Sequence, residues 1–407
     1  MAFSILYVTR EDHPSFRVDL AVLFGRALPR LGITSTLVAQ RNGNPESPWP
    51  GGQAVTVPAS KGLFSRHVGG LLHGVRSVAK LAKDHDAVQV RNKIVTGLVA
   101  LVLARRACRP FFYWMTFPFP QDDLLRARIQ GLTLGPLRLA LTFVRGHATR
   151  WLLERLLLPH CDHVFVQSER MKQDLMAVGL SAEKMTPVPM GVDMDAMDAL
   201  QPAPQALPFE PQARVLVYLG ACDRSRGIEF LLDVLERVRA QQPQAVLLVV
   251  GDAAEAADHE HLQTLIRSRS LEEAVHVTGW LPREQALGLA RASEVGVCAL
   301  PADFIFDSMS PTKAVELMAL GLPVVVTEHP DQGTLVRAGG GGFCTDYDPR
   351  AFAQAVLSLL DDPDMARAMG EQGREYAREH RSYSHLAEAL AAQYGKLASE
   401  YARGQES

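Results

Sequence analysis

The chain reads as two doubly wound α/β domains in tandem. Short, near-continuous apolar runs alternate with amphipathic stretches at helical spacing, the pattern of parallel sheets covered on both faces. The rhythm stops at a proline-rich segment and then starts again. At 407 residues the chain is also too long for one ordinary core, so two domains are expected. Ligands in such sheets bind outside the carboxyl ends of the strands, which makes a cleft between the domains the expected site.

In the first half, SILYVT reads as a strand, followed by a polar turn and the helix RVDLAVLFGRALPRLG, with Gly32 as its stop. STLVAQ, AVQV, PFFYW and HVFVQ are the next strands, and residues 124–160 are long, helical and arginine-rich. Domain one is expected over 1–200. QPAPQALPFEPQ (201–212) has four prolines in twelve residues and no helical period, so it is the expected linker. Domain two, 213–380, restarts with the strand RVLVYLG, the loop ACDRSRG and the helix IEFLLDVLERVRAQQ. AVLLVVGD, AVHVTG, EVGVCAL and LPVVVTE follow as strands. The helices of 363–402 precede no further strand, so the last one, about 380–407, is expected to pack back on domain one.

Apolar residues make up 47% and charged ones 21%, normal for a globular protein, and no run of about 18 apolar residues suggests a membrane span. The start, MAFSILYVTREDH, reads as a strand rather than a signal peptide. Five scattered cysteines, never in a Cys-x-x-Cys pair, suit a reduced cytoplasmic protein without a zinc site. The net charge of −3 hides an asymmetry: residues 1–200 hold 24 Lys+Arg and 16 Asp+Glu, leaving 18 and 29 for the rest. A basic first half points to an anionic partner such as a membrane surface or a phosphorylated lipid, against chance drift between domains. Nucleic acid is disfavoured because the basic residues are scattered and no known module is present.

The most specific segment is SMSPTKAVELMALGLPVV, from Ser308 to Val325. Ser310 reads as an N-cap residue and Pro311 as the first helical residue, where a missing N–H costs nothing. The helix is expected to run to Gly321, with Pro323 preventing its continuation. Backbone N–H groups at Thr312 and Lys313 then face an anion site, which the helix dipole and the Lys313 charge reinforce. Thr312 and Glu316 share a face. Glu316 lies about 9 Å along the axis from Ser310, at about 1.5 Å per residue. A diphosphate at the helix start and a ribose one turn on fit that spacing, since a carboxylate accepts from both ribose hydroxyls. The competing reading is a Lys313–Glu316 surface pair.

SPTKAVELMALGLPVV resembles the donor-binding segment of the family 4 glycosyltransferases, which have the GT-B fold of two Rossmann-like domains facing a central cleft. In that family a run of the form E-(Y/A)-M-A-x-G-x-P-V-V supplies the glutamate that holds the nucleotide ribose, and Glu316 stands there. VYLGACDRSRGIEFLLDVL resembles the family's G-x-x-x-x-x-K-G loop, beginning at Gly220, with Arg226 in place of the lysine that holds the donor diphosphate. VHVTGWLPREQ resembles the strand and loop beside the nucleobase, with Val277, Gly279 and Trp280. DHVFVQSERMKQDL followed by PVPMGVD resembles the segment that closes the first domain, through Ser168 and Gly191, Val192 and Asp193. The resemblance is good over about 160–330 and loose elsewhere. Departures are specific. Ser308 stands where many members have a first glutamate, with Asp307 adjacent. Ala221 stands where an arginine is common, leaving Arg224 to compensate. TREDHPSFR replaces the usual Gly-Gly loop, and YWMTFPFPQDD lacks the usual donor-sugar histidine.

The resemblance implies a retaining transfer from a UDP- or GDP-linked sugar to an acceptor hydroxyl, with no metal or other cofactor. Arg226 and Lys313 would stabilise the leaving diphosphate, and Glu316 would anchor the ribose. Gly220, Arg224, Gly279, Ser308, Ser310 and Thr312 complete the expected donor site. For the acceptor, six first-domain residues are candidates. His13 and Arg17 lie in the first βα loop, although a structural or capping role competes. Arg91 and Lys93 end a strand, where gripping an anion competes with a salt-bridged loop. Phe117 and Phe119 lie in a proline-rich loop, while Phe111 to Tyr113 read as strand core. RGHATRWLLERLLL (145–158) is amphipathic and basic, with a membrane surface or ordinary solvent as its neighbour. The basic first half makes a lipid-linked glycan acceptor in polysaccharide assembly the expectation, with a cytoplasmic protein peripheral on the inner membrane face. A hydrolysing nucleotide-sugar epimerase of the same fold and a catalytically degenerate scaffold are the alternatives.

Overall fold

The computed structural model describes residues 2–15, 17–42, 47–59, 62–131, 135–200, 207–302 and 304–406. Seven strands form the first sheet: β1 (Phe3–Val8), β2 (Ile33–Arg41), β3 (Gly52–Pro58), β4 (Ala87–Arg91), β5 (Phe111–Met115), β6 (His163–Val166) and β7 (Met185–Pro187). Their order is β3-β2-β1-β4-β5-β6-β7, and every pairing is parallel. Six strands form the second: β8 (Arg214–Leu219), β9 (Ala245–Val250), β10 (Val275–Val277), β11 (Val295–Cys298), β12 (Val324–Thr327) and β13 (Gly342–Thr345). They lie in the order β10-β9-β8-β11-β12-β13, again all parallel. Helices connect successive strands except between β2 and β3, where no helix is described, and this is the doubly wound architecture expected.

The central strands are apolar because both faces are covered. In β1, Ile5, Leu6, Tyr7 and Val8 are each fully buried, and β9 is buried along its whole length. Three strands escape the sequence reading. β3 is an edge strand that starts on Gly52 with its first three residues exposed, β7 has three residues, and all four residues of β13 are only partly buried. None has the long apolar run that marks a central strand.

The chain divides into two compact units, Met1–Pro189 with Tyr383–Ser407, and Met190–Ser382. The first crossing lies upstream of the expected position after residue 200. The physical reason is that Val192, Met194 and Met197 are buried in the core of the second unit. Residues 201–206 of the expected linker lie outside the described residues, while Leu207 and Phe209 pack against that same core. The helix Tyr383–Glu406 belongs to the first unit, where Tyr383, Leu386, Leu390, Tyr394 and Leu397 share a core with Phe3, Phe112 and Phe165. Tyr394 Oη donates to Gln89 Oε1 at 2.6 Å, satisfying two polar groups inside that core.

In each sheet the strand order reverses beside the first strand of the unit. Within the second unit this places the loops after β8 and β11 at adjacent carboxyl ends, the position where open α/β sheets open a ligand crevice. No helix among the described residues is long and apolar enough to cross a membrane.

Candidate functional site

β8 delivers the chain to a glycine. Gly220 has φ +115°, a conformation that L side chains rarely adopt, and its N–H donates to Val250 O at 2.8 Å. A Cβ there would stand 3.0 Å from Lys313 Cε, so the missing side chain leaves room for the lysine. The loop then makes one tight helical turn at Arg224–Arg226 and enters the helix Ile228–Arg239 through Gly227, at φ +69°.

Lys313 reaches into this loop from the helix Thr312–Ala319. Its Nζ lies 3.8 Å from the centroid of the Tyr218 ring, donates to Tyr218 Oη, and stands 3.5 Å from Ala221 O. The residue keeps some exposed surface, but its ammonium end is crowded by protein. That burial, followed by the positive charge of Arg226, pushes the ammonium pKa down to about 7. Arg226 itself makes no ion pair among the described residues, and its guanidinium carbon sits 5.6 Å from the Phe306 ring centroid. Two basic groups thus crowd one crevice, and among the described residues neither is paired with a carboxylate. Arg224, by contrast, is engaged: its Nε pairs with Asp258 at 3.1 Å and its Nη2 donates to Ala257 O at 3.3 Å. Its expected place in the donor site is corrected accordingly, since its charge is already matched.

The helix start differs from expectation. Its cap is Pro311, at φ −69° and ψ 133°, with no side-chain hydrogen bond, and Thr312 is the first helical residue. Pro311 is itself extended, so the helix begins one residue later than expected, and the Ser310 hydroxyl is engaged elsewhere. Ser310 Oγ instead accepts from Met190 N–H at 2.8 Å and donates to Asp331 at 2.6 Å. Asp331 is held in turn by Arg381 at 2.5 Å. Ser310 and the fully enclosed Ser308 are therefore parts of the scaffold under the helix start. Thr312 and Lys313 fall in the first turn, where N–H groups have no acceptor within their own helix.

Glu316 is only 7% exposed, and its Oε1 accepts from Arg283 Nη2 at 2.7 Å. Arg283 begins the helix Arg283–Arg291, after a turn through Gly279 at φ +73° and the exposed Trp280. Lys313 and Glu316 thus have different partners, Tyr218 and Arg283, and the surface-pair reading falls. Tyr218, Arg283 and the Asp331–Arg381 pair were missed from the sequence. The available signal for Arg283 was indirect: a carboxylate buried in an apolar helix needs a cation nearby.

The first-unit candidates are distributed differently. Arg91 is fully buried, with Nε donating to Glu11 at 3.1 Å and Nη2 to Asp19 at 2.6 Å. Its ligand-gripping role is corrected: its charge is consumed inside the fold. Burial alone would raise the Asp19 carboxyl, but Arg91 and then Arg17 outweigh it and hold the group down at about 2. Arg17, about half exposed, also pairs with Asp19, at 3.3 Å. His13 is nearly buried, with Nε2 donating to Ser47 O at 2.9 Å. Its structural reading stands, and acceptor contact through the ring is corrected. Lys93 Nζ lies 3.4 Å from Gly70 O, and burial lowers its ammonium to about 8. Phe117 and Phe119 pack edge to face at 4.9 Å, both half-buried, and Arg10 lies 4.1 Å over the Phe119 ring. Phe111, Phe112 and Tyr113 are core.

Two family models match this chain: "Glycosyltransferase Family 4" over residues 20–196 and "Glycosyl transferases group 1" over residues 213–362. Among curated proteins, the D-inositol 3-phosphate glycosyltransferase of Corynebacterium jeikeium is 27% identical over 273 residues, 64% of each chain. The chain thus spans less than two thirds of that relative's own length. Among solved structures, sucrose-phosphate synthase from Thermosynechococcus elongatus superposes with a TM-score of 0.69 at 19% identity, covering 98% of this chain and all of that one. HepE of Anabaena in complex with UDP-glucose does so with a TM-score of 0.67 at 16% identity, covering 97% and 100%. At those identities the two structures speak to the fold, which is that of GT-B proteins.

Proposed function

Since this chain belongs to glycosyltransferase family 4, we propose that it moves a sugar from a nucleotide-diphosphate donor to an acceptor hydroxyl. The observation that carries the reading is the meeting of Lys313, Arg226 and the open helix start at Thr312 in one crevice, with Glu316 one turn along the same helix. A diphosphate fits the first group because two cations and free N–H groups match a leaving group that gains charge. A ribose fits the second, with Glu316 accepting from its hydroxyls while Arg283 holds the carboxylate in place through Oε1. Transfer with retention and without a metal is part of this reading.

HepE was solved with UDP and with UDP-glucose, which favours uridine over guanosine as the base here. The basic first unit favours an anionic acceptor. We propose a lipid-linked glycan at a membrane surface, as in exopolysaccharide assembly. A soluble phosphorylated polyol is the second reading, favoured by the name of the Corynebacterium relative.

A thermal-shift series with UDP, GDP and ADP tests the donor site. A nucleotide at about 100 times its Kd adds about 2.7 kcal/mol to the native state. One nucleotide is expected to raise Tm in the wild type and to do nothing in Lys313→Ala or Glu316→Ala. No shift with any nucleotide, in folded protein, would move the chain to the scaffold alternative.

A further inference from the structure

The helix Pro136–Trp151 carries an apolar ridge that the fold does not use. Leu137 is 73% exposed, Leu141 59%, Val144 67% and Trp151 56%. With the exposed Ala148, these residues recur at i, i+4, i+7, i+11 and i+14, so they form one continuous line along the outer face. The inner face is committed: Gly146 is buried, and a Cβ there would stand 2.7 Å from Leu124 of the helix Phe119–Gln130. A contiguous exposed apolar line on a protein this size marks a contact surface.

The charges beside the ridge identify the partner. From Leu124 to Leu153 the sequence holds no Asp or Glu and five arginines, Arg126, Arg128, Arg138, Arg145 and Arg150. Arg138 and Arg145 lie seven residues apart and flank the ridge on one side, and Arg155 follows one turn after Trp151. Carboxylates bound the stretch at both ends: Arg145 pairs with Asp123 at 2.9 Å and Arg150 with Glu154 at 2.8 Å, and the Arg145 pair is solvent-exposed, of the kind worth little that an anionic surface can displace. Across the first unit, residues 1–189 and 383–407 carry 26 Lys+Arg against 16 Asp+Glu. A second copy of this chain is a poor fit, because a two-fold pairing of these helices would set arginines against arginines. The ridge also differs from the stretch 145–158 singled out in the sequence: Leu153, Leu157 and Leu158 of that stretch point into the core.

We propose that the helix Pro136–Trp151 lies in the interface of an anionic bilayer. Leu137, Leu141, Val144 and Trp151 enter the acyl boundary, and Arg138, Arg145 and Arg155 meet the lipid phosphates. This rests on the lipid-linked acceptor of the proposed function and names the surface that would bring the enzyme to it.

Vesicles of phosphatidylglycerol and of phosphatidylcholine test it with the full chain. Trp49 and Trp114 are buried and Trp280 is exposed, so in a Trp280→Phe background a blue shift of emission reports Trp151. The expected result is sedimentation with phosphatidylglycerol vesicles and a blue shift. The expected loss is at least tenfold in vesicle affinity for the double variant Leu141→Glu, Val144→Glu. Arg138→Glu with Arg145→Glu is expected to abolish the preference for the anionic lipid. Folded protein that ignores phosphatidylglycerol, or binds it equally well with the ridge charged, overturns the proposal. So does a concentration-dependent dimer that the ridge variants dissolve, which would give the surface to a second copy. UDP thermal shifts in the ridge and arginine variants, made with Trp280 retained, should match the wild type. Vesicle binding without any UDP shift in the wild type would sink the donor reading and leave this surface standing.

Discussion

Lys313 is held where its own charge is unwelcome. Burial and Arg226 lower its pKa from the ordinary 10.5 to about 7, so the folded protein sheds a proton that the unfolded chain keeps between those values. The unfolded state then binds more protons, and this group's contribution makes the protein more stable as pH rises from about 7 toward 10.5. Lys313→Met should therefore raise Tm at pH 7, by about 2–4 °C per kcal/mol relieved, flatten that pH dependence and abolish nucleotide binding. A lower Tm in that variant would show the lysine to be a structural residue. Asp19 behaves in the opposite sense. Its pKa falls from 3.8 to about 2, so its stabilisation is complete above about pH 4 and is lost as pH falls toward 2. Asp19→Asn leaves Arg91 short of a buried partner and should cost about 3–5 kcal/mol by denaturant titration. Sequence spacing located Lys313 and Glu316 because a helical period fixes which side chains share a face. It misassigned Arg91 and Ser310 because their partners, Asp19 and Asp331, come from distant positions that no local pattern ties to them.

Among the elements, the loop after β8 depends on one backbone conformation. Gly220→Ala forces a Cβ to φ +115° and to 3.0 Å from Lys313 Cε. The strained backbone should cost about 1–2 kcal/mol, and displacement of the lysine should weaken nucleotide binding more than tenfold. Titration calorimetry with UDP checks this, and unchanged affinity would separate the glycine from the site. Central strands such as β1 and β9 were legible because burial on both faces demands an unbroken apolar run. The edge strands β3 and β13 were not, since a half-exposed strand of mixed polarity looks like a loop. Prolines misled in both directions: Pro311 suggested a helix one residue longer than it is, and the four prolines of 201–212 drew the domain boundary past Met190.

At the level of the whole molecule, the final helix is part of the first unit's core. Tyr394 is fully buried against Phe3, Phe112 and Phe165, and Tyr394→Ala should cost about 3–5 kcal/mol. Calorimetry should show that loss in one of two transitions only, the other keeping its UDP-dependent shift, because the residues proposed to hold the nucleotide all lie in the second unit. A single transition moving as a whole would mean that the units melt together. The double α/β architecture was readable from the rhythm of the sequence. The interleaving was less so, because a C-terminal helix carries no mark of which sheet it will cover. That interleaving bears on how the protein is made. The second unit, Met190–Ser382, is a continuous stretch whose two ends meet, Val192 N–H donating to Arg381 O at 2.8 Å. On the ribosome it is complete before the residues of Tyr383–Glu406 have been translated. The first unit, although synthesised first, must wait with Phe3, Phe112 and Phe165 uncovered until the last segment emerges. The unit whose sequence is made first is thus the one whose core is completed last.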